Sequence, residues 1–384
     1  MLLFSTFPYD IAIGTPVKLL DTPVMLLDLD VFERNAGRLM SVMSKNGVGW
    51  RPHSKAHKSP IIARMQMALG AHGVTCAKVS EAEVMVRGGV ASVLIANELA
   101  QPVKWQRVAA LQLQAEVIVC VDSVEHLVMA SDAGVSLGVE IPLLVELNIG
   151  MDRCGVPPGQ PALDLACGVA DAKGVRLAGV MGYEGHTLTL WPRGIKEAAI
   201  RESVGWLTET ASLMRRSGLE VPIVSTGGSG SFLTTATVPG ITELQAGGAC
   251  LMDRFYAEQC HLAEHGFEFA LTIMGSVSGR PTPQRAILDC GFKTMSEQPD
   301  LKPIPVDLLD AEVLYLSAEH LNLQLGPNAP QVQIGDRVIF IPDYGDTTTF
   351  HHDAFIAHRN GIVEQVIPLA ARGRLTFQRC IWIQ

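Results

Sequence analysis

A chain of 384 residues with 48% apolar and 18% charged side chains is long enough for two folded domains with substantial cores. Its formal net charge of −9 argues against nucleic acid or an anionic membrane surface as a partner. No apolar run reaches the roughly 18 residues that span a bilayer. The eight cysteines are scattered without a CxxC pair, which is typical of reduced thiols in a cytoplasmic protein.

Short apolar runs alternate with helix-length amphipathic segments from about residue 49 to about residue 246. Eight of these runs are predicted strands: Val48–His53, Val74–Ala77, Val93–Ala96, Val117–Val121, Leu143–Leu147, Ala178–Tyr183, Pro222–Ser225 and Thr242–Gln245. So many strand–helix units in one region favour an α/β fold of the (β/α)8 TIM-barrel type. An open, doubly wound sheet usually has fewer strands.

The pattern changes after about residue 265. Segments such as "RAILDCG", "DRVIFIP" and "AFIAHRNGIVEQVIP" alternate in the manner of antiparallel strands, and "RNG" predicts a hairpin turn. We therefore predict three parts. These are an N-terminal segment that packs on the β domain (1–24), the barrel (25–265) and a smaller antiparallel β domain (266–384).

Residues 51–60, "RPHSKAHKSP", place five basic side chains directly after the first predicted barrel strand: Arg51, His53, Lys55, His57 and Lys58. In a (β/α)8 barrel, catalytic residues lie at the carboxyl ends of the strands. Neighbouring cations favour the neutral amine that forms a Schiff base. Lys55 is therefore a candidate for binding a carbonyl cofactor such as pyridoxal 5′-phosphate. The alternative interpretation is an ordinary surface lysine.

A cofactor of this kind also requires a phosphate site. The loop "STGGSGS" (225–231) follows the seventh predicted strand, and its glycines and hydroxyl side chains can offer N–H and O–H donors to a dianion. Barrels commonly bind phosphate in this region. A flexible turn is the competing interpretation, because glycine-rich loops are common.

Nine motifs occur in order along about residues 20–375: "TPVMLLDLDVFERN", "RPHSKAHK", "GVTCAKVSEAEV", "MDRCGV", "GYEGH", "STGGSGS", "TELQAGGACLMD", "LDCGFKTMS" and "ARGR". Together they resemble the D-threonine aldolase/D-serine dehydratase branch of the alanine-racemase-like (fold type III) pyridoxal-phosphate enzymes. The resemblance implies a barrel with a β domain, a homodimer with active sites at its interface, and a small amino-acid substrate. It also implies that Lys55 binds the cofactor, with Lys58 as the alternative.

The same resemblance implies further cofactor contacts. Arg153 would hydrogen-bond the phenolate oxygen of the cofactor, and Tyr183 would line the cofactor site. A structural arginine and a packing tyrosine are the competing interpretations. The phosphate would be held by Thr226, Gly227, Gly228, Ser229 and Gly230.

The metal site implied by the family is altered in this chain. In this branch, a divalent ion (Mn or Mg) beside the cofactor is held by a histidine and, two residues later, by a cysteine or aspartate. Here the first position is Tyr344 and the second is Asp346. A neutral phenol is a poor ligand, so Asp346 is a doubtful metal site by itself. His351 and His352 follow on a predicted strand, where they would point to opposite faces.

The histidine implied for proton transfer is also altered. Some aldolases of this branch have a histidine six residues after the tyrosine of "GY", where this chain has Thr189. His186 is the candidate replacement for taking the proton of the substrate β-hydroxyl, although a structural role is an equal alternative.

These features favour a pyridoxal-phosphate-dependent lyase of the D-threonine aldolase type, which would cleave β-hydroxy D-amino acids to glycine and an aldehyde with weak metal dependence. One alternative is a metal-independent amino-acid racemase that uses Lys55 and Tyr344 as its two bases. Another is an ammonia-lyase like D-serine dehydratase. A cofactor carrier is disfavoured, because the single-domain binding proteins of this superfamily lack a β domain.

Overall fold

The computed structural model describes residues 11–374 except 297, 299 and 307. The chain forms two compact units. The β unit contains residues 11–35, Cys250–Glu258 and Ala263–Leu369, and the barrel unit contains Ala36–Ala249, Gln259–Leu262 and residues 370–374. None of the described helices is both long and apolar enough to cross a membrane.

The strands of the described residues are β1 (Val24–Asp28), β2 (Gly49–Trp50), β3 (Val74–Cys76), β4 (Ser92–Ile95), β5 (Glu116–Val121), β6 (Ile141–Glu146), β7 (Val175–Met181), β8 (Ile223–Thr226), β9 (Glu243–Leu244), β10 (Leu271–Thr282), β11 (Arg285–Leu288), β12 (Ile304–Pro305), β13 (Ala311–Leu316), β14 (Leu321–Leu325), β15 (Arg337–Ile341), β16 (Ala354–Arg359) and β17 (Ile362–Pro368). The α-helices are α1 (Leu29–Asn46), α2 (Pro60–Ala68), α3 (Val79–Arg87), α4 (Pro102–Leu111), α5 (Val124–Leu137), α6 (Gln160–Asp171), α7 (Arg193–Arg216), α8 (Phe232–Thr235) and α9 (Gly345–Phe350).

The barrel unit is built on β2 to β9, which pair in parallel in the order β2-β9-β8-β7-β6-β5-β4-β3. A parallel bridge between His53 and Thr75 joins the two ends of this sheet. Inward-facing side chains from successive strands, among them Leu94, Ile118 and Leu144, form one buried cluster. The predicted (β/α)8 barrel is therefore confirmed, with all eight predicted strands present.

The β unit contains a mixed sheet in the order β13-β14-β11-β10-β1-β16-β17, with β15 paired to β10 and β12. All of its pairs are antiparallel except β1–β16, which is parallel. The predicted "RNG" hairpin is present, because Asn360 and Gly361 both adopt positive φ (49° and 73°) between β16 and β17. This conformation is the one that a two-residue hairpin turn requires.

The unit boundaries differ from those expected from the sequence. The apolar strand β1 lies within the segment assigned to the barrel, yet it pairs with β10 and β16 of the β unit. Residues 11–24 also lie on this unit, where Val17 and Leu20 share a buried cluster with Met274. The barrel unit therefore begins at Ala36 and not at residue 25, because of strand pairing that sequence periodicity does not reveal.

Candidate active site

The basic segment after β2 contains several side chains with structural partners. Arg51 is buried, and its Nε lies 3.0 Å from Oε2 of Glu243 on β9. Lys58 forms an ion pair with Glu81 of α3. Burial lowers the pKa of His57 to about 3, so this imidazole is neutral at pH 7. These contacts hold the segment against the barrel.

Lys55 is half-buried on the 3₁₀ turn Ser54–Ala56, directly beyond β2. Its backbone N–H donates to Nδ1 of His53 over 3.2 Å, and the Ser54 hydroxyl donates to the Thr75 carbonyl over 2.9 Å. Desolvation and the nearby charges of Lys55 and other cations lower the pKa of His53 well below its usual range. The turn therefore presents Lys55 from a fixed backbone at the carboxyl end of the barrel.

Arg153, Tyr183 and Gly228 lie beside one another at this same end. The Arg153 guanidinium carbon is 5.7 Å from the centroid of the Tyr183 ring. A Cβ added at Gly228 would lie 2.9 Å from the Tyr183 hydroxyl oxygen. The positive charges of Arg153 and Lys55 both lower the pKa of His53, so the two cations share one environment. The loops that follow β2, β6, β7 and β8 thus converge on one site.

The predicted phosphate loop is tightly built. Gly227 has a φ of +75°, a conformation that favours glycine. The Ser229 hydroxyl accepts a hydrogen bond from the Ala249 N–H (2.9 Å), and the Ser231 hydroxyl accepts one from the Gly228 N–H (3.2 Å). Within the described residues, the N–H groups of Ser229 and Gly230 donate to no acceptor. The loop therefore retains donors for an anion.

Glu184 is a site residue that the sequence analysis missed. Its carboxylate is fully buried and accepts hydrogen bonds from the Thr226 hydroxyl (2.8 Å), the Gly227 N–H (3.3 Å) and the Thr235 hydroxyl (2.7 Å). One carboxylate thereby joins the end of β8, the phosphate loop and α8. A glutamate between two glycines at the end of an apolar strand was the available signal.

Replacing Glu184 with methionine should destabilise the barrel and loosen the phosphate loop. The change leaves three buried donors without an acceptor, which costs about 3 kcal/mol or more in the free energy of unfolding. Glu184→Gln keeps one acceptor oxygen and should lose less. Glu209→Met, on the exposed face of α7, is the matched control. Denaturant unfolding measures the three variants, and equal stability of Glu184→Met and Glu209→Met would contradict this role.

A second group of side chains that the sequence did not reveal lies next to Arg153. The Cys154 thiol is 2.9 Å from Oε1 of Glu146, and the Arg153 guanidinium is 3.8 Å from the same oxygen. Burial is the largest cause, and the facing carboxyl group of Glu98 the second, of a rise in the pKa of Glu146 to about 8. Burial, followed by the hydrogen bond to Glu146, raises the pKa of Cys154 to about 12. The Glu146 carboxyl group therefore has a high proton affinity.

His186 is exposed on the 3₁₀ turn Gly185–Thr187 that follows β7. Its Nε2 is 3.4 Å from the Ser203 hydroxyl of α7, and a Cβ added at Gly150 would lie 2.9 Å from its ring. These contacts place His186 against α7 and the loop that contains Arg153. Its predicted role in proton transfer stays a prediction.

Tyr344 and Asp346 lie in the β unit at the start of α9. The Tyr344 hydroxyl donates to Oδ2 of Asp346 over 3.1 Å. The ring centroids of Tyr344 and Phe255 are 5.5 Å apart. His351 and His352 follow a helix and not the predicted strand, and Nε2 of His352 is 2.8 Å from the Thr294 carbonyl.

This geometry does not fit the metal pair implied by the family. The phenol of Tyr344 already donates to the one carboxylate that would be a ligand. Among the described residues, the group of potential ligands close enough to hold a metal is Glu98, Glu146 and Cys154, which does not include Asp346. Tyr344 and Asp346 are therefore a poor site for a divalent metal ion.

Two known family models match this chain. Residues 27–254, more than half of the chain, match the family model described as "Alanine racemase, N-terminal domain". The chain belongs to this family. Residues 270–358 of the same chain match a second model, described as "Putative serine dehydratase domain".

Individual proteins are similar to this chain over nearly its full length. D-threonine aldolase of Arthrobacter sp is 34% identical over 362 residues, which cover 94% of this chain and 95% of that protein. 3-Hydroxy-D-aspartate aldolase of Paracoccus denitrificans (strain Pd 1222) is 32% identical and covers 92% of this chain and 93% of its own length. The crystal structure of D-threonine aldolase from Filomicrobium marinum superposes with a TM-score of 0.92 at 36% identity, covering 95% of this chain and all of that one.

Membership of the alanine racemase family implies pyridoxal phosphate, and the barrel site fits this cofactor. Gly228 leaves a space beside the Tyr183 hydroxyl that a Cβ would fill. The N–H groups of Ser229 and Gly230 are available to a phosphate, and two cations, Lys55 and Arg153, lie nearby. An anionic aromatic aldehyde matches this set of donors.

Proposed function

We propose that this protein is a pyridoxal-phosphate-dependent lyase that cleaves β-hydroxy D-amino acids to glycine and an aldehyde. The observation that carries the proposal is the convergence of Lys55, Arg153, Tyr183 and the loop 226–230 at the carboxyl end of the barrel. The aldolases of Arthrobacter sp and Paracoccus denitrificans, which match nearly the full length, support the substrate class.

In this proposal, the residues of the barrel hold and orient the cofactor. Lys55 would hold the aldehyde end of the cofactor, the loop 226–230 would hold its phosphate, and Arg153 would donate to its phenolate oxygen. Tyr183 lines the site between Arg153 and the loop. When bound, the cofactor withdraws electrons from the α-carbon of the substrate.

Cleavage of the Cα–Cβ bond also requires removal of the proton from the β-hydroxyl oxygen. We assign this role to His186, whose exposed ring lies against the loop that contains Arg153. Since the residues at Tyr344 and Asp346 do not fit a metal pair, we propose that Mn or Mg is bound weakly and contributes little to the wild-type reaction.

A racemase is the second candidate, because Tyr344 places a phenol where the family has a histidine. The hydroxyl of this phenol lies beside Asp346 and donates to its Oδ2 over 3.1 Å. Lys55 and Tyr344 would then be the two bases. An ammonia-lyase activity like that of D-serine dehydratase is the third, supported by the serine dehydratase model that matches residues 270–358.

One set of incubations distinguishes these activities. The purified protein, supplied with pyridoxal phosphate, is incubated separately with D-threonine, D-alanine and D-serine. Glycine and acetaldehyde from D-threonine indicate the aldolase, L-alanine indicates the racemase, and pyruvate with ammonia from D-serine indicates the dehydratase. L-Threonine tests the D-preference, and the Lys55→Arg protein measures the background. Absence of glycine from D-threonine would contradict the proposed function.

The Gly228→Val protein tests the proposed phosphate site. The added side chain must displace the Tyr183 hydroxyl, because its Cβ alone lies 2.9 Å from that oxygen. We expect the Kd for pyridoxal phosphate to rise at least tenfold, roughly 1.4 kcal/mol, with a smaller change in the stability of the apoprotein. Gly194→Val is the matched control, since a Cβ at Gly194 meets no atom within 4 Å. Unchanged cofactor affinity would show that the phosphate binds elsewhere.

We also propose a cytoplasmic homodimer. In the part of the chain that the structure describes, Cys76, Cys120, Cys154, Cys167 and Cys290 form no disulfide, which supports a reducing compartment. The dimer is the assembly implied by the alanine racemase family. Light scattering that gives the mass of one chain at micromolar concentration would contradict it.

A further inference from the structure

The cluster of Glu98, Glu146 and Cys154 has no role in the proposed function and has the composition of a cation site. One potential ligand atom from each residue lies within 4.8 Å of the others. Glu98 follows β4, Glu146 ends β6 and Cys154 lies in the following loop, so three separate segments of the barrel unit supply the group. Glu146 is buried, with only 3% of its side chain exposed.

Two carboxylate oxygens in this cluster lack hydrogen-bond partners. Within the described residues, neither Oε2 of Glu146 nor Oε1 of Glu98 has a donor, although both atoms are buried. Buried carboxylates in proteins are paired with cations, bind metals or share a proton, because an isolated charge in a low dielectric is very costly. A positive centre, either a proton or a metal ion, is therefore required at this position.

The remaining partners of Glu146 do not supply that centre. The Cys154 thiol donates to Oε1 and leaves Oε2 without a donor. The guanidinium of Arg153 lies 3.8 Å from Oε1, which is longer than a hydrogen bond, and half of its side chain is exposed.

We propose that Glu98, Glu146 and Cys154 form a binding site for a thiophilic divalent cation such as Zn²⁺ or Cd²⁺. One thiolate with two carboxylates is a ligand set that Zn²⁺ accepts, and the sulfur disfavours Mg²⁺ and Ca²⁺, which prefer oxygen ligands alone. The cluster shares no residue with the pair Tyr344 and Asp346. It is also independent of whether the protein is an aldolase.

Titration of the pyridoxal-phosphate-loaded protein with Cd²⁺ tests this site. Binding through Cys154 should produce the ultraviolet thiolate-to-Cd²⁺ charge-transfer band with a stoichiometry of one ion per chain. Cys154→Ser should abolish the band and weaken calorimetric Cd²⁺ and Zn²⁺ affinity by at least about 100-fold, because loss of an outer-shell partner alone costs 10–100-fold. Glu98→Gln should weaken binding while it retains the band.

The exposed cysteine of α6 provides the matched control. Cys167 is exposed and lies outside the cluster. Cys167→Ser should leave both the band and the affinity unchanged. A band that survives Cys154→Ser, or that disappears with Cys167→Ser, would overturn the assignment. Absence of saturable binding at micromolar Cd²⁺ would show that the carboxyl groups share a proton and bind no metal.

Discussion

Lys55→Arg protein is expected to purify without the yellow colour of bound pyridoxal phosphate and to lose its lyase activity. Arginine keeps the positive charge on the 3₁₀ turn Ser54–Ala56 but does not bond to the cofactor aldehyde at neutral pH. We expect activity to fall at least about 100-fold, no less than for loss of a proton-transferring group, because the bond to the cofactor can no longer form. Absorption spectroscopy and glycine formation from D-threonine measure both effects.

Lys58→Arg is the matched control for this substitution. Lys58 lies three residues away and pairs with Glu81, a contact that arginine can also make. This variant should keep the chromophore and most of the activity. Borohydride reduction of the wild-type protein, followed by peptide mapping, should place the pyridoxyl mass on Lys55. A pyridoxyl mass on Lys58 would show that the assignment of Lys55 is wrong.

Tyr344→His should create a metal site that the wild-type protein has only in part. The histidine would face Asp346 in the place of the phenol that now donates to Oδ2. An imidazole and a carboxylate two residues apart are good ligands for Mn²⁺, whereas a neutral phenol is not. We expect the Kd for Mn²⁺ to fall at least tenfold, roughly 1.4 kcal/mol. D-Threonine cleavage should then rise on addition of Mn²⁺.

Two further variants separate metal binding from simple loss of the phenol. Tyr344→Phe removes only the hydroxyl and should not tighten Mn²⁺ binding. Tyr344→His combined with Asp346→Asn should lose the gain, because one charged ligand is removed. A wild-type protein that purifies with stoichiometric Mn²⁺ and is inactivated by a chelator would contradict this account of the ligands. His352, whose Nε2 lies 2.8 Å from the Thr294 carbonyl, would then be tested first as the replacement ligand, and His186 second.

Residues near the carboxyl end of the barrel differ in how visible they are in the sequence. Lys55 and the loop "STGGSGS" each follow an apolar run, so strand counting alone assigns them to the mouth of a barrel. Glu184, Glu98 and Glu146 are charged residues with no recognisable spacing. Their importance comes from burial and from partners distant in the chain, such as Thr235 for Glu184 and Cys154 for Glu146.

The basic segment illustrates the same limit on a smaller scale. The sequence does not reveal which of its five basic side chains have structural partners, but in the structure Arg51 is buried against Glu243, Lys58 pairs with Glu81 and His57 is neutral. Which cation has a buried carboxylate beside it depends on strand register and helix placement, and neither is encoded by local composition.

The sequence by itself determined the barrel, the following β domain and the position of the candidate cofactor lysine. Each of these rests on local periodicity or on an ordered set of motifs, and both are properties of contiguous residues. The tertiary structure alone decided that β1 belongs to the β unit, that Tyr344 donates to Asp346, and that Glu184 supports the loop 226–230. In each case the sequence shows that a group can form hydrogen bonds but does not show its partner. The partner is decided in the folded protein, where burial removes the water that would otherwise compete for the hydrogen bond.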